Sequence, residues 1–136
     1  MNRNAVHIAL TVHDLQASID FYEVLFGETP AKQRADYAKF EAHTPSLALS
    51  LNPGRPGSNS AAHHFGLRLE APNALDAIRE RLTGADIPQR VEEDVTCCYA
   101  RANKIWVQDP DGNDWELYEW LADTAERGDQ TEELSN

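Results

Sequence analysis

A chain of 136 residues has the length of one domain, and 41% hydrophobic against 26% charged residues is the balance of an ordinary folded, water-facing protein. A formal net charge of -11 without any stripe of Lys and Arg excludes phosphate-driven binding to nucleic acid. No apolar run reaches the roughly 18 residues of a membrane helix and no leader pattern opens the chain, so a cytoplasmic protein is expected, with its two cysteines as thiols.

Residues 5–12, Ala-Val-His-Ile-Ala-Leu-Thr-Val, alternate as a strand, with Val6, Ile8, Leu10 and Val12 on one face and His7, Ala9 and Thr11 on the other. Asp14 is placed to cap a helix whose apolar positions Leu15, Ile19, Tyr22 and Phe26 recur at three and four, widened by Phe21 and Leu25. Gly27 stops it. Strand-like pieces follow around Tyr37–Ala42 and Leu47–Leu51, and residues 52–60, rich in Pro, Gly, Ser and Asn, read as a linker.

Beyond the linker the pattern starts again at an offset of 57 residues: His7 meets His64, Leu10 meets Leu67, Leu25 meets Leu82 and Gly27 meets Gly84. Asn73 is expected to cap the second helix, with Asp76 in its first turn and Gly84 at its end. Strands are expected near Pro88–Glu93, Lys104–Gln108 and Trp115–Trp120, the last two joined by the turn Asp109-Pro-Asp-Gly-Asn113. The reading is therefore α+β: two tandem βαβββ modules, about 4–52 and 61–121, forming a cupped mixed sheet with helices on the outside. Residues 122–136 are acidic, almost without apolar side chains, and read as a disordered tail.

Strand pleat puts His7 and His64 on the face opposite the apolar alternation, and in the last strand it puts Glu116 and Tyr118 there too, with Trp115 and Leu117 turned to the core. If the halves pair about a pseudo-twofold, His7, His64 and Glu116 converge. Two imidazoles and a carboxylate leave coordination positions open, as in non-haem Fe(II) sites, although catalytic zinc accepts the same donors. The counterpart of Glu116 in the first half is expected at Ala48, which has no donor, so a closed four-ligand site is disfavoured. His63 falls on the core-facing parity, and His13 and His43 read as surface residues. Lys104, Trp106 and Gln108 share the cup-facing parity, and Trp106 and Tyr118 can line an apolar pocket or simply close the sheet.

Cys97 and Cys98 lie in residues 96–103, an addition outside the duplicated framework. Adjacent soft thiolates suit Cu(I), Zn, Cd or trivalent arsenic; the bland alternative is a pair of small inert side chains. Glu92, Glu93 and Asp94 just upstream disfavour thiolate, and Arg101 or Lys104 is expected to compensate.

These residues resemble the vicinal oxygen chelate superfamily of glyoxalases, extradiol dioxygenases and bleomycin-resistance proteins. The resemblance covers residues 5 to about 121. It is carried by the strand-borne His7, the helix from Asp14-Leu15 through Phe21-Tyr22 to Leu25-Phe26-Gly27, His64-Phe65-Gly66, and Asp109-Pro-Asp-Gly-Asn-Asp-Trp-Glu116. Glu92-Glu-Asp-Val-Thr-Cys-Cys-Tyr-Ala100 followed by Lys104-Ile-Trp-Val107 is similar to the ArsI and CadI group in particular. That likeness implies an Fe(II)- and O2-dependent carbon–arsenic lyase acting on trivalent organoarsenicals, with His7, His64 and Glu116 as iron ligands and Cys97 and Cys98 as arsenic-capturing thiols. A substrate pocket of Tyr99, Lys104, Trp106 and Tyr118 accompanies them, with no catalytic residue assigned beyond the metal site. A homodimer is left open. The competing expectations are a CadI-like cadmium or arsenic binder without turnover, and another glyoxalase- or dioxygenase-like enzyme.

Overall fold

The computed structural model describes residues 5–43, 46–55, 63–71, 73–97, 100–123 and 125. The first module comprises β1 (Val6–Val12), α1 (Leu15–Phe26), β2 (Lys32–Arg34), β3 (Tyr37–His43) and β4 (Ser46–Pro53). The second comprises β5 (His64–Leu69), α2 (Ala74–Gly84), β6 (Arg90–Cys97), β7 (Ala100–Gln108) and β8 (Asp114–Asp123). Each builds its own four-stranded mixed sheet, ordered β1-β4-β3-β2 and β5-β8-β7-β6, with the parallel pair made by the first and last strand of the module. The chain is α+β with two tandem βαβββ modules, as the repeat implies. Most of the acidic tail and most of the linker lie outside the described residues.

Local chemistry sets the ends of the elements. Asp14 accepts a hydrogen bond from the Ala17 amide at 3.0 Å and caps α1, while Gly27 ends it at a φ of 68°. The left-handed φ is what favours glycine there; a Cβ would also meet Arg81 Cζ at 2.8 Å, the end of a flexible side chain that would have to shift. The second helix departs from its expected start. Asn73 stands at a φ of 64° and its side chain caps nothing, because a left-handed residue turns its side chain away from the first-turn amides.

The two helices meet at Arg81. Arg81 Nε donates to the carbonyl of Val24 at 2.8 Å, and Arg81 Nη2 donates to that of Leu25 at 2.9 Å. Val24 and Arg81 are 57 residues apart, the repeat offset itself. A cation on the last carbonyls of α1 satisfies orphan acceptors and opposes the negative end of the helix dipole.

The apolar faces of both sheets feed one core. Tyr22 and Phe26 of α1 contact Phe40 of β3 on one side and Trp115 of β8 on the other, with ring centroids 5.7–6.3 Å apart. The core cluster runs without a break from Leu10 and Leu49 to Leu82, Ile105 and Leu117. Tyr22 is its polar hinge: its hydroxyl donates to Asp109 Oδ2 and accepts from Trp115 Nε1 at 3.0 Å. Burial and then the Asp109 carboxylate push the phenol well above its ordinary pKa, so it remains a donor. The faces carrying His7 and His64 take no part in this core.

Candidate metal and substrate site

Glu116 is the centre of the polar face of the second sheet. It pairs in register with Gly66 of β5 and Trp106 of β7, so the side chains of three strands surround it. Its Oε1 lies 3.4 Å from His64 Nε2, and its Oε2 accepts from Lys104 Nζ at 2.7 Å. Glu116 and Lys104 keep only 17% and 14% of their side-chain surface, against 57% for His64, so the ion pair is sheltered and the imidazole faces outward. Gly66 keeps the space beside the carboxylate open: a Cβ there would lie 3.6 Å from Oε1.

Around this pair the face is aromatic. Trp106 lies 4.9 Å from the His64 ring, donates its indole N–H to Glu92 Oε1 at 2.9 Å, and carries the Arg90 guanidinium 5.2 Å from its centroid. Lys104 Nζ stands 6.0 Å from the Tyr118 ring. An open cleft of about 870 Å³ borders the imidazole, lined by His64, Arg90, Trp106, Gln108 and Asp114 among others. That is the size range of small-molecule sites.

The turn Asp109–Asn113 fixes the strand end that bears His64. Asp109 accepts from the Asn113 amide and side chain, both at 2.8 Å, and from the Asp111 amide at 2.9 Å. Asn113 Oδ1 in turn accepts from the His63 amide at 3.0 Å, and Asp111 Oδ1 from the His13 amide at 3.0 Å. The turn therefore ties the start of β5 and the end of β1 to one buried carboxylate.

His7 stands on the polar face of the other sheet. Its Nε2 is 2.7 Å from Ser50 Oγ, which Tyr37 OH also meets at 3.0 Å. Here the expected counterpart of Glu116 has to be corrected. Ala9 pairs with Ser50 and Gly66 with Glu116, and positions 9 and 66 are one repeat apart, so the counterpart is Ser50 rather than Ala48. Ala48 instead matches Asp114, since it pairs with His7 as Asp114 pairs with His64. Alternation along a strand gives faces, not the level at which two strands are paired. Each module thus sets an imidazole beside an oxygen donor: histidine with serine in one, histidine with glutamate in the other.

The cysteines fall mainly outside the described residues. The backbone of Cys97 ends β6 and pairs with Ala100, whereas Cys98 and Tyr99 are not described. The two cations expected to favour thiolate each hold a carboxylate. Arg101 binds Asp94 through two hydrogen bonds of 2.7 and 3.0 Å, and Lys104 binds Glu116.

Among the described residues no three His, Cys, Asp or Glu side chains are close enough together to hold a metal ion. The second module nevertheless fits as part of such a site. Two donors about 2.1 Å from one ion stand roughly 3–3.5 Å apart, and His64 Nε2 and Glu116 Oε1 have that separation. No helix of the described residues is long and apolar enough to cross a membrane.

A tandem βαβββ chain with an imidazole and a carboxylate on its polar face belongs to the glyoxalase/bleomycin resistance protein/dioxygenase superfamily, whose family model matches residues 4–117. Within it, a "Trivalent organoarsenical cleaving enzyme" of Bacillus sp. (strain MD1) is 40% identical over 113 residues, covering 82% of this chain and 70% of the relative. "Cadmium-induced protein CadI" of Mycobacterium tuberculosis (strain ATCC 25618 / H37Rv) is 40% identical over 123 residues, covering 90% of this chain and 80% of that one. The solved structure of "Oxidase ChaP-H2" superposes with a TM-score of 0.67 at 16% identity, covering 93% of this chain and 100% of that chain, a likeness of fold.

Proposed function

We propose that this protein is an Fe(II)- and O2-dependent lyase that breaks the carbon–arsenic bond of trivalent organoarsenicals and releases arsenite. The observation that carries the reading is the 3.4 Å pairing of His64 Nε2 with Glu116 Oε1, in a chain 40% identical to an organoarsenical cleaving enzyme. His64 and Glu116 would hold the metal together with His7; bound iron would supply dioxygen activation at positions the protein leaves free. Cys97 and Cys98 would bind the arsenic, since soft thiolates prefer it to the harder nitrogen and oxygen donors. Trp106 and Tyr118 would pack against the organic group and help to exclude water from it.

In one chain the polar faces of the two modules lie away from their common core. On this reading the third ligand would come by pairing, with His7 of one copy facing His64 and Glu116 of a second. This reading makes the working unit a homodimer.

The test is direct. Iron-loaded protein incubated with methylarsenite in air should release arsenite, and without oxygen it should not. Absence of arsenite in both conditions removes the lyase. The similarity to CadI over 123 residues favours one alternative, a cadmium or arsenic binder without turnover. In that case arsenical disappears into a protein complex that air does not change.

A further inference from the structure

Glu116 presents its two oxygens to two different partners, and the division is enforced by strand register. Lys104 pairs with Tyr118 across β7 and β8, which sets its ammonium diagonally beside Glu116, and Nζ reaches Oε2 at 2.7 Å. Oε1 is left on the His64 side, at 3.4 Å from Nε2. Both members of the ion pair are sheltered, so the contact is screened far less than a surface bridge.

A carboxylate can meet a cation through one oxygen or both. An ammonium fixed on Oε2 occupies that oxygen and repels a second cation approaching it. We propose that Lys104 is a positioning residue that confines Glu116 to one-oxygen ligation through Oε1, keeping one more coordination position open beside His64. The inference rests on the metal reading above but assigns Lys104 a role distinct from contact with the substrate. The cost is weaker metal binding, because the same cation competes for the carboxylate.

Mn(II) is a suitable probe, with the full-length chain in solution. Loss of the free-ion electron paramagnetic resonance signal reports affinity, and water-proton relaxation reports how many waters remain on the bound ion. Lys104→Met should bind Mn(II) about tenfold more tightly and carry about one water fewer, as Oε2 takes that position. Lys104→Arg should restore both values to those of the unaltered protein. Lys104→Gln keeps a donor for Oε2 without the charge, so it should bind more tightly with the water count unchanged. It also guards against a Met variant that fails to fold. An unchanged water count in a folded Lys104→Met protein overturns the inference, whatever its affinity. If the unaltered chain takes up no Mn(II), the metal reading itself falls, which is a different result.

Discussion

Glu116 shows what one side chain can do when three strands converge on it. With an imidazole on one oxygen and an ammonium on the other, its charge is matched but not consumed, and Glu116→Gln should leave the fold standing while weakening divalent metal binding at least tenfold, read by titration with Mn(II). Tyr22 carries the opposite kind of weight. Its hydroxyl is buried between Asp109 and Trp115, so Tyr22→Phe leaves a buried carboxylate short of a donor and an indole N–H without an acceptor. Unsatisfied groups of this kind cost about 1–3 kcal/mol each. Urea denaturation should show a loss of about 2–4 kcal/mol with an unchanged m-value, since the surface exposed on unfolding is the same. The face of His64 and of Glu116 was legible in the sequence because strand alternation assigns faces. Ser50 was not, because its role depends on which level of β4 meets β1.

At the scale of elements, the hairpin of β6 and β7 is the part that the duplicated pattern does not describe. The register of β6 against β7 slips between Glu92 and Val95, and that of β7 against β8 slips between Arg101 and Ala102. Both irregularities lie at one level of the sheet, close to Asn103. Its Oδ1 accepts from the Asp94 amide at 2.7 Å, and its Nδ2 donates to Glu119 Oε2 at 3.0 Å. Asp94 sits at a φ of 48°, in the left-handed region that aspartate tolerates better than most residues. Bulges bend a strand and change which face each later residue takes, so this is the device that aims the strand running to Cys97. Sequence alternation carried the expected strand only to Glu93 because a bulge breaks period two. The helices were legible to within a residue, since their stops are chemical: glycine at a left-handed angle in one, and in the other a turn in which the Ala85 amide reaches the carbonyls of Arg81 and Leu82.

The Asp94–Arg101 pair gives that hairpin a pH dependence whose sign is fixed. Hydrogen bonds from Arg101, and then its charge, hold the Asp94 carboxyl below its ordinary value. A group with a lowered folded-state pKa stabilises the fold above its unfolded pKa and ceases to do so as pH falls through the folded one. The melting temperatures of the unaltered protein and of Asp94→Asn should therefore differ by a constant, small amount from neutral pH down to about pH 5, and converge below about pH 4. A gap that persists in acid would mean that Asp94 acts through its backbone conformation alone.

For the whole molecule, the decisive feature is that the apolar faces of the two modules meet in one core, joined by Arg81 and by the Tyr22–Trp115 contact. His7 and the His64–Glu116 pair stand on the faces turned from that core. A closed twofold dimer presents each face of one copy to the complementary face of the other, so two equivalent sites would form, each with His7 from one chain and His64 with Glu116 from its partner. Mixing variants tests this without any assumption about substrate. His7→Ala and His64→Ala should each bind Mn(II) poorly as pure proteins. After the two are unfolded together and refolded, half the dimers are hybrids, and in each hybrid one site carries both mutations while the other carries neither. Roughly a quarter of the tight metal sites should therefore return. If all three ligands came from a single chain, every chain in the mixture would still lack one of them, and titration of the refolded mixture would recover no tight site at all.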